Sequence, residues 1–257
     1  MTIYLTTILN IFNMESLKTK LRQLKLAGMV KSIETRNKYA IDNKVSYIDF
    51  IELLVEDEYV NRKANSFGKR LNKSKINTAK SIDDFDFNYQ PKLNKQQIMD
   101  IASCRFINEN KNIVFMGKPG VGKTHIANAI GLEALKQGYK VLFLHINDLI
   151  DKLNAARADG SVRLLMNALV GADLLILDEL GFKKIPSEFI DGVFEVIRKR
   201  YETGSIIITS NRNFEDWGNI FGDIVMASAI IDRIVHHAEI IKIDGDSFRT
   251  KNYVNSN

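Results

Sequence analysis

The chain has 257 residues, enough for one large domain or a core domain with a smaller partner, and its 45% apolar and 26% charged residues suit a protein that buries a real core. A single cysteine, Cys104, excludes an internal disulfide framework and a cysteine-cluster zinc site, and fits a reducing cytosol. The net charge of +5 is unevenly spread: residues 1–95 carry 17 Lys/Arg against 11 Asp/Glu, and the remainder 19 against 20.

The opening MTIYLTTILNIF is apolar, but it has no basic leader or small-residue cleavage site and is too short to cross a bilayer as a helix. Residues 1–13 read as a non-native or disordered leader with Met14 as the natural start, and no other window resembles a membrane segment. Leu17, Leu21, Leu24, Leu26, Met29, Val30 and Ile33 keep roughly helical spacing and predict a helix from residue 14 to about 40. A second helix is expected after Ser46, which can cap its first turn. That helix carries Ile48, Ile51, Leu54, Val55 and Tyr59 and runs into a block, Tyr59–Ile82, with seven basic residues and no acidic one.

A block of that kind is the footprint of phosphate-backbone contact, with a solvated helix face as the plainer alternative. Residues 14–80 therefore read as a helical, basic DNA-binding domain that uses Arg62, Lys63, Lys69, Arg70, Lys73 and Lys75; Lys80 completes the block. The stretch SIDDFDFNYQPKLN, residues 81–94, reads as a linker. From residue 95 to 257 apolar strands alternate with helices. The strands are IVFMG, VLFLHI, LLILDE and SIIITSN; the helices run from Thr124 to the glycine stop at Gly138, over Asn147–Val170 and near Ser187–Tyr201. The fold class is α/β, with a parallel central sheet covered on both faces and preceded by a small all-helical domain.

Gly117, Gly122, Lys123 and Thr124 satisfy G-x-x-x-x-G-K-[ST] between a strand and a helix. Glycines let the backbone wrap close to phosphate oxygens, and amides at a helix N-terminus point at negative charge. Gly117, Lys118, Pro119, Gly120, Val121, Gly122, Lys123, Thr124 and His125 are thus the expected cradle for ATP. Lys123 faces the β- and γ-phosphates, and the Thr124 hydroxyl ligates magnesium. Asp178 and Glu179 emerge at the carboxyl end of LLILDEL, where ligands sit in open α/β sheets. Asp178 is expected to hold magnesium, directly or through water, and Glu179 is the group that orients and deprotonates an attacking water.

Asn211, at the tip of SIIITSN, can fix that water or touch the γ-phosphate. In ASAIIDRIVHHAEIIKI, Ser228 can cap a helix that ends in Asp232, Arg233, His236 and His237, and Arg233 could reach a neighbouring subunit's γ-phosphate. Tandem His236 and His237 would face different directions on a helix, and His125 and His145 are isolated, so no histidine-bound metal is expected. Arg249, in DSFR, is a weaker candidate for nucleotide or interface contact.

FMGKPGVGKTHIANAIG, LLILDELG, RYETGSIIITSN and IIDRIVHHAEIIKIDGDSFR, with LKLAGMVKSIE and SYIDFIELLVEDEY upstream, resemble the IstB family, ATP-binding helpers of bacterial insertion-sequence transposition. The resemblance covers residues from about Met14 to Arg249. It implies a P-loop AAA+ ATPase related to replicative helicase loaders, which forms an ATP-dependent homo-oligomer on duplex DNA and assists a partner transposase in the bacterial cytoplasm, at the nucleoid. It also implies that Gly117–Thr124 form Walker A, Asp178 and Glu179 Walker B, Asn211 the first sensor and Arg233 the trans-acting finger. Only 46 residues follow Asn211, too few for the usual helical lid domain, so a lid is expected to be absent. The alternative is a replicative DNA helicase loader. A small-molecule kinase shares the loop but fits the acidic pair and the strand-end asparagine less well; a nucleotide-dependent binding module that hardly hydrolyses stays open, because Glu179 reports capacity and not rate.

Overall fold

A computed structural model describes the backbone of residues 2–250 and the side chains of residues 13–250. The chain forms two compact units, Met1–Lys69 and Arg70–Asn257. Helices α1 (Thr2–Gln23), α2 (Ala27–Asn43) and most of α3 (Tyr47–Ser74) make the first. The single helix expected over residues 14–40 is therefore two. The chain turns at Lys25, whose φ is +58°, and Glu58 of α3 then receives the amides of Gly28 and Met29 at 2.6 and 3.3 Å. A carboxylate thirty residues away caps α2, so helical spacing alone runs straight through the break. Gly28 permits the approach, because a Cβ there would stand 2.6 Å from the Asp57 carbonyl.

Leu21, Ile33 and Leu54 are the buried centre of this unit, with Met14, Leu26, Met29, Val30 and Phe50 packed around them. Arg36 grips Asp57 through Nε and Nη2 at 2.8 and 2.7 Å, and that bonding holds the Asp57 carboxyl down at about 2. Ser46 accepts the Asp49 amide at 3.2 Å, as a capping residue should. Helix α1 begins at Thr2 rather than Met14. Met1 and the side chains of residues 2–12, on which the leader reading falls, lie outside the described residues.

The second unit opens with α4 (Lys95–Ala102) and α5 (Arg105–Asn108), then β1 (Asn112–Gly117), α6 (Lys123–Gln137), β2 (Val141–His145), α7 (Ile146–Asp159) and α8 (Val162–Val170). It continues with β3 (Leu174–Leu180), α9 (Ser187–Arg200), β4 (Ser205–Ser210), α10 (Trp217–Phe221), α11 (Ile224–Val235) and β5 (Ala238–Ile243). Among the described residues the sheet has the order β2-β3-β4-β1-β5, and every neighbouring pair is parallel. Alternate strand residues face opposite layers. Val114, Met116, Leu175, Leu177, Ile206 and Ile208 join one core with residues of α7 to α11, while Ile176 faces α6, where Gly131 leaves room for it.

Residues 81–94 do not connect two domains. They form a turn-rich strap folded onto the second unit, where Tyr89 Oη donates to the Ser247 carbonyl (3.1 Å) and Gln90 Nε2 to that of Asp246 (2.9 Å). The helical stretch expected over Asn147–Val170 is broken at Gly160, which adopts a φ of +75°. Asp223 caps α11 by accepting the amides of Val225 and Met226, which puts Ser228 inside that helix rather than at its start. Strand β5, absent from the sequence reading, completes the sheet beside β1. Among the described residues it is followed by one 3-10 turn, Phe248–Thr250.

Candidate functional site

Gly120 and Gly122 hold positive φ of +85° and +101°, which a side chain would strain, and a Cβ on Gly122 would stand 2.5 Å from the Phe85 ring. The loop from β1 therefore closes tightly onto the start of α6. Buried Lys123 curls back inside it, donating to the carbonyls of Gly117 (2.7 Å) and Lys118 (2.8 Å). Burial lowers its pKa, and nearby Asp178 partly opposes that effect. The Lys123 ammonium is thus held ready in the concavity that a polyphosphate would fill.

Asp178 is fully buried at the carboxyl end of β3. It accepts the Thr124 hydroxyl at 2.9 and 3.1 Å, and it also accepts the Thr209 hydroxyl from β4. Thr209 Oγ1 in turn receives the Glu179 amide at 3.0 Å. Glu179 has a φ of +63°, rare for a residue with a side chain, and its carboxylate is 45% exposed at the pocket wall. His145, at the end of β2, brings Nδ1 to 3.2 Å from Asp178 and 3.8 Å from Glu179. Asn211 lines the same cavity, and its buried Oδ1 has no hydrogen-bond partner.

The cavity holds about 470 Å³, in the range of small-ligand sites. Its second wall is the strap. Phe85 packs edge-on against His125 with centroids 5.5 Å apart, and His125 Nε2 lies 2.8 Å from the Ser81 carbonyl. Tyr89 meets Phe248 edge-on at 5.3 Å, and the Phe248 amide donates to the Gly120 carbonyl at 3.0 Å. Arg249 also lines the cavity, and its charge helps to lower the Lys123 pKa.

The structure thus brings Lys123, Thr124, His125, Glu179 and Asn211 to one cavity, with Asp178 directly behind. Arg249 is there too. Arg233 is not among the lining residues; its guanidinium donates to the Ala229 carbonyl and lies 5.0 Å from the Phe194 ring. Of the basic block, Arg62 pairs with Glu58 and Lys63 lies over the Tyr59 ring. Arg70 donates to the Leu135 carbonyl at the end of α6, and Lys80 lines the cavity. Lys69, Lys73 and Lys75 are exposed. Phe85, Tyr89, Thr209 and Phe248 were not singled out from the sequence, and His145, read there as isolated, sits beside Asp178 and Glu179. The aromatic-acidic composition of residues 81–94 was the available signal for the strap.

The family model for IstB-like ATP binding proteins matches residues 19–256. The chain belongs to the IstB family. Family relatives span nearly its whole length. A Geobacillus stearothermophilus protein named for ATP binding in insertion sequence IS5376 is 38% identical over 89% of this chain and 91% of its own. A Pseudomonas aeruginosa counterpart from IS21 is 34% identical over 93% and 90%. Another, from IS232 of Bacillus thuringiensis subsp. berliner, is 36% identical over 93% and 96%.

Among solved structures, AMPPCP-bound DnaA from Aquifex aeolicus is similar with a TM-score of 0.57 and 22% identity, covering 71% of this chain and 56% of that one. The DnaC helicase loader has a TM-score of 0.53 and 22% identity, covering 65% and 98%. DnaI has a TM-score of 0.55 and 24% identity, covering 64% and 90%. The IstB chain therefore has the P-loop AAA+ fold, with a helical region at its N-terminal side. Among the described residues, no helix is long and apolar enough to cross a membrane.

Proposed function

We propose that this chain is an ATPase that assembles on duplex DNA in its ATP-bound form and assists a partner transposase, within the bacterial cytoplasm at the nucleoid. The observation that carries this reading is the joint placement of Lys123, Thr124, Asp178, Glu179 and Asn211 around one cavity, in a chain whose relatives are named for ATP binding in insertion sequences. Lys123 exchanges its two loop carbonyls for β- and γ-phosphate oxygens, and the amides at the start of α6 face the same charge. Thr124 and Asp178 fit a magnesium site, since one hydroxyl and one buried carboxylate already meet at 2.9 Å. Magnesium held by Thr124 and Asp178 would supply charge neutralisation to the phosphates.

Glu179 takes the proton of the attacking water, and Asn211 offers that water its partnerless Oδ1. The aromatic faces of Phe85, Tyr89 and Phe248 suit a purine base, while Arg249 faces the phosphates from the same chain. Arg233, which does not line its own cavity, serves a neighbouring subunit, a role worth about 10³–10⁵ in rate. Hydrolysis resets the assembly. DNA is held by the exposed cations of the basic block, Lys69, Lys73 and Lys75, with Arg62, Lys63 and Arg70 beside them.

Sedimentation and duplex-DNA affinity, each measured with and without ATP and magnesium, test the reading. An ATP-dependent oligomer with salt-sensitive, largely sequence-tolerant DNA binding is expected. A monomer that ignores duplex DNA in both states overturns it.

A further inference from the structure

Tandem histidines on a helix diverge, but His236 and His237 are not both on one. Helix α11 ends at Val235, His236 is its C-terminal cap, and His237 leads directly into β5. Their ring centroids lie 4.1 Å apart. Glu202 meets them from the turn after α9, where its backbone adopts a φ of +61°. One donor atom from each of Glu202, His236 and His237 lies within 4.8 Å of the other two, and His237 Nε2 is 3.7 Å from Glu202 Oε1. We infer that these three residues form a binding site for a zinc-class divalent transition-metal ion, at the amino end of the sheet.

The backbone that presents the ligands is tied down. The Asn112 amide donates to the His237 carbonyl at 2.8 Å, at the first rung between β1 and β5. Asn110 Nδ2 donates to the Glu202 carbonyl at 3.0 Å. Residues 110–112 thus hold both arms of the cluster. The site is remote from the nucleotide cavity, because β1 runs from Asn112 at this end to Gly117 at the other, a span of about 16 Å at strand rise.

The ligand chemistry favours a metal over a simple ion pair. Both rings place a nitrogen beside the Glu202 carboxylate, and imidazole nitrogen is the commonest metal ligand. His236 Nδ1 lies 2.8 Å from the Tyr201 hydroxyl. Nδ1–H donating to that oxygen leaves the Nε2 lone pair for the ion, the arrangement by which an outer partner orients a ligating histidine. The Tyr201 ring also stacks on His237 at 6.4 Å.

Acidic Asp232 faces the same phenol, and the neighbouring cation, Arg233, directs its guanidinium to Ala229 and Phe194. Two imidazoles and a carboxylate suit zinc, nickel or copper; magnesium and calcium prefer oxygen ligands. All three residues are exposed, which leaves open positions for water. A bound ion would tie the α9–β4 turn to the α11–β5 junction, three residues beyond Arg233.

Cobalt(II), titrated into the full chain purified without a histidine tag, is the probe. Visible d–d absorption should saturate at one equivalent and be competed away by zinc. His237→Ala and Glu202→Gln should each weaken cobalt binding at least tenfold, and Tyr201→Phe by about tenfold, the usual scale for an outer partner. Glu202 and His237 are exposed, so their variants should leave the circular dichroism spectrum unchanged. Lys123→Ala should leave cobalt binding intact, which separates this site from the nucleotide cavity and from the ATPase reading. Absent bands, bands indifferent to His237→Ala and Glu202→Gln, or bands abolished by Lys123→Ala would each overturn the inference.

Discussion

Thr209 accepts the Glu179 amide at 3.0 Å while giving its own proton to Asp178. One hydroxyl on β4 therefore anchors a left-handed backbone on β3 and orients the carboxylate behind it. Thr209→Val keeps the shape but leaves a buried carboxylate and an amide each short of a partner. A stability loss of about 1–3 kcal/mol is expected in urea unfolding. Turnover of ATP should fall at least tenfold with little change in its KM, and Thr209→Ser should restore both.

Lys123 and Glu179 act at different stages of the proposed cycle. Lys123→Ala should abolish nucleotide binding and with it the ATP-dependent sedimenting species. Glu179→Gln should keep binding but block water activation, so that the ATP-bound, DNA-bound form accumulates. Filter binding of nucleotide beside sedimentation checks both variants; identical behaviour would remove Glu179 from its role.

The Arg36–Asp57 pair makes the helical unit sensitive to acid. Its carboxyl ionises near pH 2 in the folded chain but near 3.8 when unpaired, so its contribution is full above about pH 4 and is lost as pH falls toward 2. After allowance for partial exposure, Asp57→Asn should cost about 1 kcal/mol at neutral pH. Hydrogen exchange of α2 and α3 amides measures that cost near pH 6. Urea midpoints of the helical signal, followed down to pH 2.5, should show the gap to wild type closing.

Cys104 is fully buried, and burial pushes its thiol up to about 12. It should resist iodoacetamide in the native chain at pH 8 and label completely in denaturant. Mass spectrometry of the alkylated protein checks this.

Arg200 buries its guanidinium against five carbonyls, those of Leu169, Val170, Ala172, Asp173 and Ser205. Arg200→Met leaves these acceptors unsatisfied and should lower stability by about 3 kcal/mol or more. Arg200→Lys should recover little of it, because an ammonium cannot span the same fork. Thermal unfolding distinguishes the two.

The parts of this molecule legible in its sequence are those whose chemistry and spacing are local. Gly117–Thr124 lie within one loop, and Asp178, Glu179 and Asn211 end apolar strands whose placement follows from parallel α/β topology. What stayed hidden depends on distant partners. The strap, residues 81–94, reads as a linker because its anchors, Asp246 and Ser247, lie more than 150 residues away. Glu58 caps α2 from across the helical unit, so no signal near Lys25 marks the break. Helix α11 ends at Val235, so the tandem histidines, read as part of its far end, lie at its cap and beyond it and converge.

Strand β1 lies between β4 and β5, both made long after it; Asn112 and Ile206, which bond across β1 and β4, are 94 residues apart. On the ribosome, the phosphate loop therefore emerges without either neighbour and without the segment that pins its strap. At about 5–20 residues per second, roughly 7–26 s separate synthesis of Gly117 from that of Arg249. Until then the cavity lacks the part of its wall that Phe248 and Arg249 supply. A chain cut before Asp246 would keep every signature motif but lose the carbonyls that pin Tyr89 and Gln90 of the strap.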